Sequence, residues 1–194
     1  MSDSKCRSWY EGDTILEEYH DHEWCKVSHD DRFQFEMLCL EGASIGLSWR
    51  TIMHKREAYR RAFHQFDIEA CANMSDGELE QLLENRELIR NRGKIYSVRK
   101  NARIVKAIQA EYGSFDAYLW SFTDRKVIDG HWKEAAEMPT ESDVSRTMSA
   151  DMKKRGFGYV GPVITYSFLQ SIGIVNDHLE DCEYRQDDRN GQNR

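Results

Sequence analysis

Apolar residues return every three or four positions through most of this chain, and nowhere do they alternate with polar residues over the length of a strand. That pattern predicts an all-α fold. Acidic residues in His29-Asp30-Asp31 open a helix with Phe33, Met37, Leu38 and Leu40 facing inward, ending between Gly42 and Gly46. Ser48 is placed as the N-cap of a second helix that buries Trp49, Ile52, Met53, Ala62 and Phe63. Asp67 and Ser75 cap two short helices, the latter with capping-box spacing in Ser75-Asp76-Gly77-Glu78. The longest periodic segment runs from Asn91 to Tyr112, with Ile95, Val98, Ala102, Val105 and Ile108 on one stripe and Gly113 as its stop. Ser114 then caps a short aromatic helix, and 123–139, with the weakest pattern, is expected to be a surface connection. Ser142 opens a helix that stops at Gly156, and Pro162 starts another that runs to about Gly173.

With 194 residues and no Pro/Gly/Ser-rich linker, the chain is expected to form one domain over 1–183, with room for two helical lobes, followed by a charged tail at 184–194 that is expected to be disordered. The polar opening Met1-Ser2-Asp3-Ser4-Lys5 argues against a signal peptide, and no run approaches the roughly 20 apolar residues of a membrane helix. A soluble, intracellular protein is therefore expected. Five cysteines, two of them (Cys39 and Cys71) inside apolar helical patterns, speak against a disulfide framework. A formal net charge of −7 argues against a broad nonspecific nucleic-acid footprint. One exception is the basic stripe Arg92, Lys94, Arg99, Lys100, Arg103 and Lys106, which reads either as a solvated helix face or as a phosphate-facing surface.

Three clusters carry candidate chemistry. Glu41 is a single carboxylate in an apolar run, so it is either an internal cap for the Gly46-Leu47-Ser48 turn or part of a site. Tyr19, Trp24 and Trp49 surround it in sequence, with Trp9 upstream. Aromatic faces and a carboxylate together suit a flat cationic heterocycle, although aromatics in such numbers also build cores. Gly156-Phe157-Gly158-Tyr159-Val160-Gly161 between two helices, beside Lys153-Lys154-Arg155, has the shape of a helix-hairpin-helix, in which backbone N–H groups of Gly156, Phe157, Gly158, Val160 and Gly161 would meet a phosphate. Finally, His178 and Cys182 are four apart, which puts an imidazole and a thiolate on one face of a single helical turn, and Cys6 and His20 are separated by thirteen residues near the other terminus. Two Cys and two His are the ligand set of a closed structural zinc site stapling the termini together.

Several segments resemble the DNA-3-methyladenine glycosylase I family: Tyr19-His20-Asp21-His22-Glu23-Trp24, Leu40-Glu41-Gly42, Gly46-Leu47-Ser48-Trp49, Lys55-Arg56-Glu57 with Phe63, and Ile89-Arg90-Asn91-Arg92-Gly93-Lys94-Ile95. Gly113-Ser114-Phe115 with Leu119-Trp120, Lys154-Arg155-Gly156-Phe157 with Val160-Gly161, and Val175-Asn176-Asp177-His178 followed by Cys182 extend the match over roughly 6–182. The resemblance implies a helix-hairpin-helix glycosylase fold and one structural zinc per chain held by Cys6, His20, His178 and Cys182. It also implies excision of 3-methyladenine from alkylated double-stranded DNA by a monofunctional bacterial enzyme, cytoplasmic and nucleoid-associated, acting as a monomer. Glu41 would contact the flipped base, with Tyr19 and Trp49 around it, and Asn176 stands where many helix-hairpin-helix glycosylases carry a catalytic aspartate. Leu16 replaces a frequent tyrosine, Ser44-Ile45 a usual Gln-Ala, and Cys25-Lys26-Val27 a Gly-Val-Pro. Those departures keep open a second reading, a zinc-stapled DNA-binding protein with weak or no catalysis.

Overall fold

The structure, a computed structural model, describes Cys6 and residues 10–185. Among the described residues the ten α-helices are α1 (Thr14–His22), α2 (Asp31–Ser44), α3 (Trp49–Met53), α4 (Arg56–Ala62), α5 (Ile68–Asn73), α6 (Asp76–Glu84), α7 (Arg92–Tyr112), α8 (Phe115–Trp120), α9 (Asp143–Arg155) and α10 (Pro162–Ser171). No helix is long and apolar enough to cross a membrane among the described residues.

Local chemistry sets most of these boundaries. The Asp30 carboxylate accepts the Phe33 N–H at 2.7 Å to start α2, and Ser75 and Glu78 form the expected capping box at α6. Asn91 caps α7, which ends as Gly113 turns with φ +90°. The helix expected across 48–63 is divided into α3 and α4 at His54-Lys55. Arg56, at the start of α4, turns inward: its Nε donates to Glu36 at 2.6 Å, and its Nη1 to Glu23 at 2.8 Å. This buried network ties the ends of α1 and α4 to the middle of α2, and leaving one of its charges unpaired would cost about 3–5 kcal/mol.

The sequence pattern contains no strand, yet the structure has two of two residues each. Ile128–Asp129 (β1) pairs in parallel with Val175–Asn176 (β2). Pairing of this length has no periodic signature, and the two segments lie 47 positions apart in the chain. The expected surface connection is thus fastened to the segment after α10. Tyr184 and Arg185, the start of the expected tail, are also attached: Lys26 Nζ donates to the Tyr184 carbonyl, and Arg185 donates to the His178 carbonyl and to Asp129. The remainder of that tail, 186–194, lies outside the described residues.

At the centre is α2, buried without a break from Gln34 to Ala43 and touching α3, α7, α8 and α10. A helix buried on every side needs a partner for each polar side chain it carries. Gln34 donates to the Ser28 carbonyl (2.8 Å) and to Asp116 (2.7 Å), and Glu36 is paired with Arg56 and Arg60. The third polar side chain is Glu41, and no donor reaches its carboxylate among the described residues.

Candidate active site and metal-ligand cluster

That unpaired carboxylate opens into a cavity of about 260 Å³ formed by Tyr19 of α1, Trp24, Glu41 and Ser44 of α2, Trp49 of α3, and Ile164, Ser167 and Gln170 of α10. Its volume suits one small planar heterocycle. Tyr19 and Trp49 face each other with ring centroids 5.6 Å apart and planes tilted by 56°. Burial alone pushes the Glu41 carboxyl up to about 8, so it is protonated at neutral pH while the cavity is empty. Burial first, and then the Glu41 charge, raises the Tyr19 hydroxyl well above the usual phenol range.

The internal-cap reading of Glu41 does not hold. No backbone N–H of the 46–48 turn bonds its carboxylate among the described residues: the Leu47 N–H bonds the Ser44 carbonyl at 2.7 Å, and Ser48 caps α3 through the Thr51 N–H. Trp9 lies outside the described residues. Of the three departures from the family pattern, only Ser44 lines the cavity. Leu16 is 1 % exposed in the core, and the Cys25 sulfur, away from the cavity wall, accepts the Asp177 N–H at 3.3 Å.

Three lining residues, Ile164, Ser167 and Gln170, are not among those the sequence motifs point to. Their spacing of three along α10 was the available signal, since it puts them on one face of the helix that follows the hairpin. The hairpin itself begins with Gly156 in the left-handed region (φ +97°), and its Tyr159 is pressed against α2. A Cβ on Gly42 would lie 3.1 Å from the Tyr159 Cβ, so a glycine beside Glu41 lets the hairpin approach the cavity. Both backbone polar groups of Gly158 bond to one side chain of α7: its N–H donates to Asn101 Oδ1 at 2.9 Å, and Asn101 Nδ2 donates to its carbonyl at 3.2 Å. The Val160 carbonyl accepts the Ser149 hydroxyl at 2.6 Å. Those bonds turn the Gly158 N–H inward, and the amides of Tyr159, Val160, Gly161, Val163 and Ile164 have no partner among the described residues.

Most of the basic stripe of α7 is consumed internally. Arg92 pairs with Glu80, Arg99 with Asp76, and Lys106 with Glu69, while Arg103 donates to the Ala72 carbonyl. Lys94 donates to the carbonyls of Ala43 and Ile45 at 2.9 and 2.6 Å, closing the C-terminus of α2 just beyond Glu41. Lys100, Lys153 and Lys154 remain exposed.

Behind the cavity, Cys6, His20 and Cys182 converge, all buried, with potential ligand atoms within 4.8 Å of one another. Cys6 Sγ is 3.1 Å from His20 Nε2, and Cys182 Sγ is 3.9 Å from the same atom. His20 Nδ1 faces Asp21 at 2.8 Å and the Tyr10 hydroxyl at 3.0 Å, which fixes the ring with Nε2 toward the sulfurs. Hydrogen bonding between the two sulfurs lowers the Cys182 thiol and raises that of Cys6. His178 lies beside this group, its ring centroid 4.8 Å from that of His20. It stands not on a helical turn, as its spacing from Cys182 suggests, but in the extended and turning chain after β2. Asn176 Oδ1 lies 3.2 Å from His178 Nδ1, and the buried Nε2 has no partner. Trp24 joins the two sites, since it lines the cavity and its ring lies 4.9 Å from His178 and 5.5 Å from His20.

An all-α scaffold with an acidic, aromatic cavity the size of a single base defines a class of base-binding helical proteins, and comparison with known proteins narrows it. A sequence profile of the methyladenine glycosylase family matches residues 9–186. The chain is 41% identical over 174 residues to the DNA-3-methyladenine glycosylase of Haemophilus influenzae, covering 90% of this chain and 94% of that one. It is 40% identical over 174 residues to DNA-3-methyladenine glycosylase 1 of Escherichia coli K12, with 90% and 93% covered. A solved structure of a 3-methyladenine DNA glycosylase I variant in complex with 3-methyladenine superposes with a TM-score of 0.92 at 33% identity, over 95% of this chain and 98% of that one. This chain belongs to the methyladenine glycosylase family.

Proposed function

We propose that this protein is a DNA-3-methyladenine glycosylase that hydrolyses the N-glycosidic bond of 3-methyladenine in alkylated DNA, the first step of base-excision repair. The observation that carries the reading is Glu41: an unpaired, buried carboxylate on the most enclosed helix of the fold, facing Tyr19 and Trp49 across a base-sized cavity. A base extruded from the duplex would stack against these rings. N3-methylation makes the purine a cation, so its entry stabilises the charged form of Glu41, and the carboxylic acid loses its proton as the base binds.

The chemistry asks little of the protein. When the bond between C1′ and the base nitrogen breaks, its electron pair moves onto the base and cancels the positive charge, so the leaving group departs neutral without an acid. Water adds hydroxide to C1′ and releases a proton, which the Glu41 carboxylate can accept. The cavity wall, as described, presents a carboxylate and no amine for a Schiff base, in keeping with hydrolysis without strand cleavage. Asn176, at the place of the family's absent aspartate, is turned toward His178 instead.

DNA would be gripped by the unpaired hairpin amides with Lys153 and Lys154, while exposed Ile45 and Leu47 near the cavity supply an apolar wedge for the vacated stack. The cavity and hairpin come from one chain, which suits a monomer acting on double-stranded DNA in a bacterial cytoplasm.

The Cys/His cluster fits a structural zinc ion. Two sulfurs and an oriented His20 Nε2 supply three donors, and the neighbouring His178, whose buried Nε2 has no hydrogen-bond partner while its Nδ1 lies against Asn176, would complete a tetrahedral set. When bound, such an ion supplies folding free energy by joining the two ends of the chain, and no reaction chemistry.

The decisive assay is release of free 3-methyladenine from methylated duplex DNA. The wild type should release it and Glu41→Gln should lose at least about 100-fold in kcat/KM at unchanged fold, consistent with loss of a charged contact to the base. DNA binding without release above background would establish the noncatalytic reading instead.

A further inference from the structure

Lys94 stands in the first turn of α7, where the positive end of the helix dipole disfavours a cation. Asn91 fixes its backbone by accepting the Lys94 N–H at 3.0 Å, and the ammonium closes a different helix. The last turn of α2 contains no basic residue, so its final carbonyls need donors from elsewhere. Lys94 Nζ supplies two of them, to the Ala43 carbonyl at 2.9 Å and to the Ile45 carbonyl at 2.6 Å. Partial burial pulls the ammonium below the usual lysine range, as expected where carbonyls replace part of its water. The segment that follows, 45–47, has little else to hold it. Ile45 and Leu47 are 38% and 42% exposed, and Gly46 turns with φ +77° in open space. Among the described residues, Lys94 is the one donor from another element that reaches this segment, since the bond from Leu47 to Ser44 lies within the turn itself. Ser44 lines the cavity, so the two bonds of Lys94 bracket a wall residue and tie the apolar tip to it.

We infer that Lys94 is a positioning residue for excision from duplex DNA: by capping α2 it holds Ile45 and Leu47 where they enter the gap left by the flipped nucleotide, and it touches neither base nor phosphate. A wedge offsets the cost of opening the stack only if its side chains are already in place, because ordering an exposed loop during flipping would consume the gain. Two of the three ammonium donors are spent on carbonyls, which sets Lys94 apart from the exposed Lys100, Lys153 and Lys154. The inference rests on the cavity being the seat of the excised base and on 45–47 being the wedge.

The test uses two duplexes whose only adenine stands opposite thymine in one and opposite a stable abasic analogue in the other, both methylated alike. The second has already lost its base pair and gains less from a wedge. Lys94→Met, which keeps the aliphatic stem and removes the donors, should slow single-turnover release of 3-methyladenine about tenfold from the paired duplex and less than about twofold from the other. Lys94→Arg, which retains charged donors, should recover most of the rate. Lys94→Gln, with a neutral donor, serves should Lys94→Met fail to fold, and it should show the same ordering of losses. With Ile45 and Leu47 both replaced by alanine, Lys94→Met should cost less than about twofold more, because its effect passes through the wedge. Equal losses on the two duplexes would assign Lys94 to a direct phosphate contact and overturn the inference. Unchanged rates on both would overturn it too, as would an equal loss of free 3-methyladenine binding, read as quenching of Trp24 and Trp49 fluorescence. If the wild type released base from neither duplex, the proposed function would fall. The fluorescence of a 2-aminopurine placed beside the thymine, which rises as a wedge opens the stack, would still decide the role of Lys94: a rise with wild type and none with Lys94→Met supports it, and equal signals refute it.

Discussion

Because Glu41 sits on a helix buried from Gln34 to Ala43, its ionisation is tied to the stability of the protein. Its carboxyl titrates near 8 in the fold and near 4.5 when free. Between those values the unfolded chain has lost a proton that the folded chain keeps, so the unfolded state binds fewer protons and stability falls as pH rises. Glu41→Gln removes this penalty. Its Tm, measured by circular dichroism, should exceed that of the wild type by about 4 °C or more at pH 8, and the gap should close near pH 4.5. The pH profile of excision should carry the same signature: kcat/KM of the wild type rises toward a plateau above about pH 8, while that of Glu41→Gln stays flat. The sequence placed this residue and left two roles open for it. Only the packing decided between them, by turning the Leu47 N–H to the Ser44 carbonyl and leaving the carboxylate without a donor.

At the scale of elements, caps were legible because they are local. Ser48, Asp67, Ser75 and Ser114 each cap the helix expected of them, and Asp30, Asn91 and Ser142 turn out to cap helices that start where expected, all through bonds that reach only three residues along the chain. The break at His54-Lys55 was not legible, because it accompanies a charge network whose members, Glu23, Glu36 and Arg56, belong to three helices or their ends. Asn101 is a similar case. In sequence it is one polar residue on a long amphipathic helix, yet it bonds both polar groups of Gly158 across 57 positions. Asn101→Ala should release the hairpin from α7, lowering affinity for duplex DNA roughly tenfold, with a stability loss of about 1–3 kcal/mol. Binding of free 3-methyladenine, read by tryptophan fluorescence, should change by less than twofold, because Asn101 is not part of the cavity wall. Equal losses of both affinities would show that hairpin and cavity are one rigid unit.

Across the whole molecule, chain ends and cavity are linked through Trp24, which lies against His20 and His178 on one side and lines the cavity on the other. The zinc reading therefore predicts two effects of metal removal. Elemental analysis of purified protein should find about one zinc per chain. Stripping the metal with a strong chelator should lower Tm by about 10 °C or more and weaken free-base binding, and adding zinc back should restore both. A metal-free preparation of undiminished stability would refute the staple.

The sequence by itself determined the all-α class, the positions of most helix ends, the family, and the residue types available for the chemistry. Each of these follows from periodicity, from capping within three or four positions, or from short motifs. Tertiary structure decided which polar groups remain unpaired, which side of the hairpin is spent on Asn101, that the basic stripe of α7 is largely neutralised at home, and that the Gln170 amide is spent on the buried Asp177. Those outcomes depend on donors and acceptors brought together from distant parts of the chain. A buried polar group is defined by the partners it finds there, and no local pattern encodes them.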